Sequence, residues 1–181
     1  MKKRYIKTLF AIALCVAVVV LAVIWSFYYS FPQKYESLVT EYSKQYGIDE
    51  SLVYAIIKCE SNFDANALSS ANAQGLMQLT PDTFSWAYSK EHNTRPKSVM
   101  LFDANTNIRY GCCNYSILKS EFLSDEVALA AYNAGRSRVI SWLENPEYSN
   151  DKKTLLNIPY PETKTYVKKV LLIQKIYKFL Y

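Results

Sequence analysis

The chain has 181 residues, 50% of them hydrophobic and 20% charged, with a formal net charge of +5. That composition excludes a disordered or low-complexity chain, and the length fits one domain with an appendage. Lys2, Lys3, Arg4 and Lys7 account for four of the 21 basic residues; the other 17 stand against 16 acidic ones, about +1, which gives no electrostatic case for a nucleic-acid partner.

Behind those four cations, Leu9 to Trp25 is an unbroken apolar run, followed by Phe27, Tyr28, Tyr29 and Phe31. A run of that length with aromatics at its end can span a bilayer and sit at its interface. Bulky Trp25, Phe27, Tyr28 and Tyr29 stand where a small-x-small cleavage site would be needed, so an uncleaved anchor is favoured over a cleaved signal peptide. Cys15 lies within the apolar core behind Leu14, which leaves a lipoprotein reading weak. The expected division is 1–31, a cytoplasmic basic tip and transmembrane signal-anchor, and 32–181, a catalytic domain. Because basic flanks stay in the cytoplasm, the expected location is the cell membrane, single-pass, with the domain outside the cytoplasm.

Beyond the anchor the chain reads as helix upon helix. Tyr35, Leu38, Val39, Tyr42 and Tyr46 mark an amphipathic segment that stops at Gly47, a candidate left-handed cap. Asp49 is placed to cap the next helix, whose apolar positions Val53, Ile56 and Ile57 share a face with Glu60. A carboxylic acid in an aliphatic place, near the negative end of a helix, would hold its proton to higher pH than usual. General-acid cleavage of a glycosidic bond requires such a group. Periodicity alone leans slightly toward the alternative, a last-turn glutamate that curls out to solvent.

Asp64 to Leu79 breaks the helical pattern and suggests an irregular loop or short strands. Thr80 and Pro81 open a further helix, Thr as cap and Pro at the first helical position. Ser89 to Leu101 is polar, contains Pro96 and reads as a loop. Helical periodicity returns over Asn105 to Leu118, Asp125 to about Asn133 and Arg136 to Leu143. Glu144 to Asn157 reads as a surface excursion, and a last helix starts near Pro161 with Val167, Val170, Leu171, Ile173, Ile176, Tyr177 and Leu180 turned inward. Trp86 and Trp142 are expected as core aromatics rather than sugar platforms.

Outside the membrane the thiols are Cys59, Cys112 and Cys113, which allow at most one internal disulfide and are better read as small buried residues. With His92 the only histidine, a Cys/His zinc site has no support, and no metal or cofactor is expected. His92 lies in SKEHNTRP, read as exposed loop, so catalysis by a Ser-His-Asp or Cys-His arrangement is discounted.

Three stretches combine amide, hydroxyl and aromatic side chains with small residues: GLMQLTP at Gly75 to Pro81, AYNAG at Ala131 to Gly135, and IPYPETKTYV at Ile158 to Val167. Sugar sites need that mixture, because hydroxyls and acetamido groups take polar partners while ring faces pack on aromatics. Singly, each has a plain structural reading: a core tyrosine, a helix terminus, a first-turn acid, a loop amide.

In this order, with AIIKCESNF around Glu60, ALSSANAQ before the GLMQ stretch and NIRYG at Asn107 to Gly111, they resemble the lytic transglycosylase (SLT-type) domains, relatives of goose-type lysozyme. The resemblance runs from about Tyr35 to the C-terminus. It implies a mainly α domain of the lysozyme-like α+β superfamily, compact and helical with a small irregular or short-strand segment, preceded here by one transmembrane helix. It implies cleavage of the MurNAc-(β1,4)-GlcNAc bond of peptidoglycan glycan strands, with formation of 1,6-anhydromuramic acid. Glu60 matches the single catalytic glutamate, acid and then base, and an intramolecular C6 hydroxyl takes the place of a second carboxylate. Ser69, Gln78, Tyr132, Asn133 and Glu162 match substrate-binding positions, Glu162 in a supporting role, and Ser61 is matched to a structural one. The sequence departs from the family pattern at Asn72 and Gln74, often glycine and smaller or apolar residues there, and at Thr80, often methionine. Cys112 and Cys113 are also unusual in the NIRYG helix. The competing expectations are a hydrolytic muramidase like goose-type lysozyme and an inactive wall-binding scaffold of an envelope assembly, whose partners the sequence leaves unnamed.

Overall fold

A computed structural model describes residues 2–96 and 98–181, apart from the side chains of Lys2, Lys3, Arg4 and Thr8. The basic character expected of the N-terminal tip therefore falls largely outside the described side chains. The chain divides into two compact units, one running up to Lys34 and the other from Tyr35 to Phe179.

The first unit is a single helix, α1 (Lys2–Ser30). Tyr5–Ser30, with mean hydropathy 2.9, is long and apolar enough to cross a membrane. Its apolar side chains are exposed along the whole length, as they would be in a helix meant for lipid rather than a protein core. The terminal aromatics pair along the helix, Trp25 on Tyr29 and Phe27 on Phe31, with ring centroids 5.7 and 6.3 Å apart.

The second unit is built from α2 (Glu36–Tyr46), α3 (Glu50–Glu60), α4 (Pro81–His92), α5 (Ala104–Phe122), α6 (Asp125–Ala134), α7 (Arg136–Glu144) and α8 (Pro161–Leu180). The long α5 is the organising element, packed against α2, α4 and α6. The expected punctuation is present. Gly47 ends α2 at φ 65°, where a side chain would be strained, and Asp49 caps α3 by accepting from the Ser51 amide at 2.9 Å. Thr80 accepts from the Thr83 amide at 3.1 Å ahead of Pro81, as expected of a helix cap.

Leu79, Phe84, Ala87, Leu101, Tyr110 and Cys113 form one buried cluster, with Trp86 and Tyr132 packed against it. On the α3 side, Tyr54 stacks on Tyr177 at 5.2 Å and tilts against Phe63 at 6.4 Å. Cys112 and Cys113 are buried free thiols, and Cys59 is partly buried and free. Trp142 is buried as expected, but Trp86 is only half-buried.

Two expectations between Ser89 and Leu101 are corrected. Helix α4 continues to His92, so the loop begins later than the polar composition suggested. His92 ends that helix instead of lying in a loop and is exposed as expected, with its Nε2 3.1 Å from the Tyr110 hydroxyl and its ring 4.4 Å from Tyr88. Tyr110, 18 residues on, is brought to it only by packing, which is why a polar octamer concealed a helix end.

The segment between α3 and α4 has two isolated antiparallel bridges, Leu68 with Gln74 and Gln74 with Leu79. It turns through left-handed backbone at Asn62, Phe63, Asn72, Gly75 and Gln78. Asn72, where glycine would have been the simplest choice, adopts φ 60°, and asparagine tolerates that region better than most residues do. At Gly75 any Cβ would strike the Leu101 carbonyl and the Asn107 amide, so the residue is glycine for space as well as for φ.

Candidate active site

Asn107 fixes this segment from beneath. Fully buried in the first turn of α5, it accepts from the Met77 amide at 2.7 Å and donates to the Gln74 and Leu101 carbonyls at 2.8 and 2.7 Å. Its side-chain oxygen and both amide protons are thus satisfied by backbone, as burial demands. One turn on, Gly111 lets Met77 lie directly on the helix, since a Cβ there would overlap the methionine side chain. Two further bonds hold the loop from above: Ser61 Oγ donates to the Leu76 carbonyl at 2.8 Å and Tyr132 Oη to the Met77 carbonyl at 2.9 Å. Ser61 is therefore a structural tie between the end of α3 and the loop.

Glu60 sits where that tie begins. Val53, Ile56 and Ile57 are fully buried on the preceding turns, and the stripe carries the last residue of α3 to the rim of the core. The residue keeps part of its surface open to solvent, yet burial of the carboxyl pushes its pKa up from an ordinary 4.5 to about 7. The Tyr166 hydroxyl and the Lys169 ammonium, both on α8, pull the other way without prevailing. Tyr166 Oη lies beside the carboxyl but completes no hydrogen bond of ordinary geometry, and it is buried without another partner. Proximity to Glu60 adds to burial in holding the Tyr132 and Tyr166 phenols well above their usual range, so both remain neutral donors.

An open cavity of about 380 Å³ adjoins Glu60, lined also by Lys58, Ser61, Asn62, Ala67 and Lys169. A second, of about 480 Å³, lies among α4, α5, α6 and α7 and is lined by Trp86, Asn114, Tyr132, Arg136 and Arg138, among others. Tyr132 belongs to this second cavity while its hydroxyl end senses the Glu60 charge.

The other residues picked out in the sequence are placed unequally. Ser69 accepts from the Ala73 amide at 3.0 Å and shapes the loop. Gln78 donates from its amide to the Gly75 and Ala67 carbonyls at 2.9 and 3.2 Å, the plain reading of a loop amide. Asn133 Oδ1 accepts from Thr163 Oγ1 at 2.8 Å, joining α6 to α8. Ser69, Gln78 and Asn133 support the wall of the Glu60 cavity and do not line it, and Glu162 is exposed on the first turn of α8. Sequence reasoning passed over Tyr166 and Lys169. Both follow Glu162 at helical spacing, i+4 and i+7, so the motif that drew attention to Glu162 pointed along the right stripe but stopped a turn early.

A compact helical domain that surrounds one carboxylic acid of raised pKa at an open cavity is of the lysozyme-like class. Residues 37–155 match the family model described as Transglycosylase SLT domain, and the chain belongs to that family. Membrane-bound lytic murein transglycosylase C of Mannheimia succiniciproducens is 36% identical over 136 residues, 70% of this chain and 37% of that protein. Soluble lytic murein transglycosylase of Escherichia coli K12 is 32% identical over 158 residues, 82% of this chain and 24% of that protein. The chain thus spans well under half the length of either relative. Among solved structures, an inactive mutant of the Pseudomonas aeruginosa lytic transglycosylase Slt superposes with TM-score 0.70 at 33% identity, over 82% of this chain and 24% of that one. The 70 kDa soluble lytic transglycosylase in complex with bulgecin A gives 0.72 at 30% identity, over 84% and 25%.

Proposed function

We propose that the protein is a membrane-anchored lytic transglycosylase that cuts the MurNAc-(β1,4)-GlcNAc bond of peptidoglycan, with Glu60 as general acid and then base. The observation that carries this reading is a lone carboxyl, its pKa pushed up to about 7, with no second carboxylate lining its cavity among the described residues. An ordinary glycosidase needs two carboxyl groups flanking the bond, either to activate water or to form a glycosyl ester. Here the muramyl C6 hydroxyl serves instead. Glu60 gives its proton to the departing GlcNAc oxygen; the C6 oxygen then bonds to C1 as its proton passes to the Glu60 carboxylate. The ring closes without water, and the acid is restored. Tyr132 and Tyr166, held neutral, border the carboxyl as donors, while Ser69, Gln78 and Asn133 keep the loop and helix walls in place for the sugar; Glu162 takes a supporting place at the edge.

The relatives' names and the apolar α1 support the anchored setting, with residues 32–181 facing the peptidoglycan outside the cytoplasm. The test is mass-spectrometric product analysis of sacculi digested by the full-length protein in detergent, wild type beside Glu60→Gln. The expected products are 1,6-anhydromuropeptides, absent with the variant. New reducing ends in their place would make the enzyme a hydrolase, and binding without release by both forms would leave a scaffold.

A further inference from the structure

Helix α8 carries a face that the domain itself leaves unused. Tyr166, Val170, Ile173 and Tyr177 are buried on one side of it. On the other, Lys164, Lys168, Leu172, Lys175 and Phe179 follow one another at steps of three or four residues and form a single stripe along the helix. All five are exposed, and Phe179, at 88%, is the most exposed large apolar side chain among the described residues. A surface helix ordinarily presents polar residues to water, so Leu172 and Phe179 are out of place there. The lysines around them keep their charge. Lys164 donates to the neutral Asn157 Oδ1 at 2.7 Å, and Lys178, off the stripe, pairs with Asp49 at 2.7 Å. Lys168 and Lys175 have neither an ion pair nor a hydrogen-bond partner among the described residues. The helix has one acid, Glu162, and it too lies off the stripe.

Exposed apolar side chains set among lysines suit one surface in particular. At a bilayer interface the apolar tips enter the acyl boundary while the ammonium groups meet anionic headgroups. Such a surface is close by. Residues 31–35 are all that separates Ser30, the end of α1, from Glu36, and five residues reach at most about 18 Å. A domain the size of residues 35–181 is roughly 30–40 Å across, so a tether this short keeps some part of it at the headgroups. We propose that the Lys164, Lys168, Leu172, Lys175 and Phe179 face of α8 docks on the anionic lipid surface of the membrane that α1 crosses. This rests on the membrane-anchored reading and is independent of the reaction. Docking would also set where the chemistry happens. Lys169, which lines the Glu60 cavity, follows Lys168 about a quarter turn round the helix. The cavity then opens to the side of the docked face, and glycan strands lying near the bilayer are the ones presented to Glu60.

The test uses the full-length protein in lipid nanodiscs, one copy per disc, made either of phosphatidylcholine alone or of an even mixture with phosphatidylglycerol. A water-soluble acylating reagent is followed lysine by lysine by mass spectrometry, with the exposed Lys90 and Lys153 as references. Lys168 and Lys175 are expected to label about tenfold more slowly on the anionic discs, with the references unchanged, since each lysine at such a surface multiplies the docked population about fivefold. In Lys168→Gln the protection of Lys175 should fall about fivefold, and Lys168→Arg should retain it. Leu172→Ser combined with Phe179→Ser should weaken protection at both lysines. Cleavage of short soluble glycan fragments should be the same in every variant, because these side chains touch neither the core nor the Glu60 cavity. Equal labelling on the two lipids, or protection of Lys175 that ignores Lys168→Gln, overturns the docking. Protection found in detergent-solubilised oligomers but not in single-copy discs gives the face to a second copy of the chain, and protection that needs added sacculi gives it to peptidoglycan; either result overturns the membrane as occupant. Protein that separates from the discs on gel filtration removes the anchored reading and the docking with it. Docking that fails while the protein stays in the discs leaves both the anchor and the cleavage reaction standing.

Discussion

Glu60 and Glu91 occupy nearly the same kind of position, one the last residue of α3 and the other the next to last of α4, both half-buried. Their surroundings separate them. Glu91 Oε1 accepts from Tyr46 Oη at 3.0 Å and from Arg109 Nη2 at 3.1 Å, while its buried Oε2 lies 3.3 Å from His92 Nε2. The guanidinium pairs with Glu91, and the cluster ties α2, α4 and α5 together. Glu60 is faced by two phenols and the Lys169 ammonium, and its carboxyl makes no hydrogen bond of ordinary geometry with either phenol. Desolvation therefore decides, and the proton stays. A half-buried carboxylate with a guanidinium partner is a structural group; without one it is a poised acid.

The sharpest way to break this contrast is to remove each charge in turn. Glu60→Gln should lower kcat on peptidoglycan by about a thousandfold or more, the usual weight of a general acid, with the circular dichroism spectrum unchanged. A variant that keeps even a tenth of wild-type activity would move the acid elsewhere.

The next effect is on stability, and its sign follows from the raised pKa. Below pH 4.5 Glu60 is protonated in both folded and unfolded chains and contributes no difference. Between 4.5 and about 7 only the unfolded chain has released the proton, so stability falls as pH rises and then levels off. The total is about 2–3 kcal/mol, reduced by the partial exposure of the group. Denaturant melts from pH 4 to 9 should show this slope in wild type and not in Glu60→Gln, which becomes the more stable protein at pH 8. Glu91→Gln should do the reverse, losing about 1–2 kcal/mol because the Arg109 charge is left without its anion, while the folded fraction keeps its specific activity. Equal stability losses in the two variants would erase the distinction.

That distinction was only half legible in the sequence. Helix starts were readable because caps act locally: Asp49, Thr80 and Pro81 announce themselves within four residues. Glu60 stood out because it interrupts a periodic apolar stripe, and periodicity also is local. The partners that decide its chemistry come from α6 and α8, more than seventy residues away in sequence. Spacing cannot supply them: Tyr166 and Lys169 were passed over, while Gln78 and Glu162, matched to substrate binding and a supporting role, lie outside the lining of the Glu60 cavity. Glu91 drew no notice at all, since its charge suited an expected surface position and Arg109 is brought to it only by the packing of α4 on α5. Asn107 is instructive in the same way. NIRYG marked the segment, but nothing local says that a helical asparagine will turn inward to hold three backbone groups.

The finest test of the contrast concerns the phenols that Glu60 has in place of a guanidinium. Tyr166 lowers the Glu60 pKa by facing the carboxyl, though burial outweighs it, and its hydroxyl is itself buried without another partner. Tyr166→Phe removes this opposition and the orphaned hydroxyl together. The Glu60 pKa should rise, and the alkaline limb of the pH–rate profile should move up with it. Stability at pH 5 should be unchanged or slightly higher, because no completed hydrogen bond is lost. If the variant instead loses 1 kcal/mol or more, as about one made hydrogen bond contributes, then Tyr166 is bonded to the Glu60 carboxyl in solution. Glu60 would then resemble Glu91, with a phenol doing weakly what Arg109 does strongly.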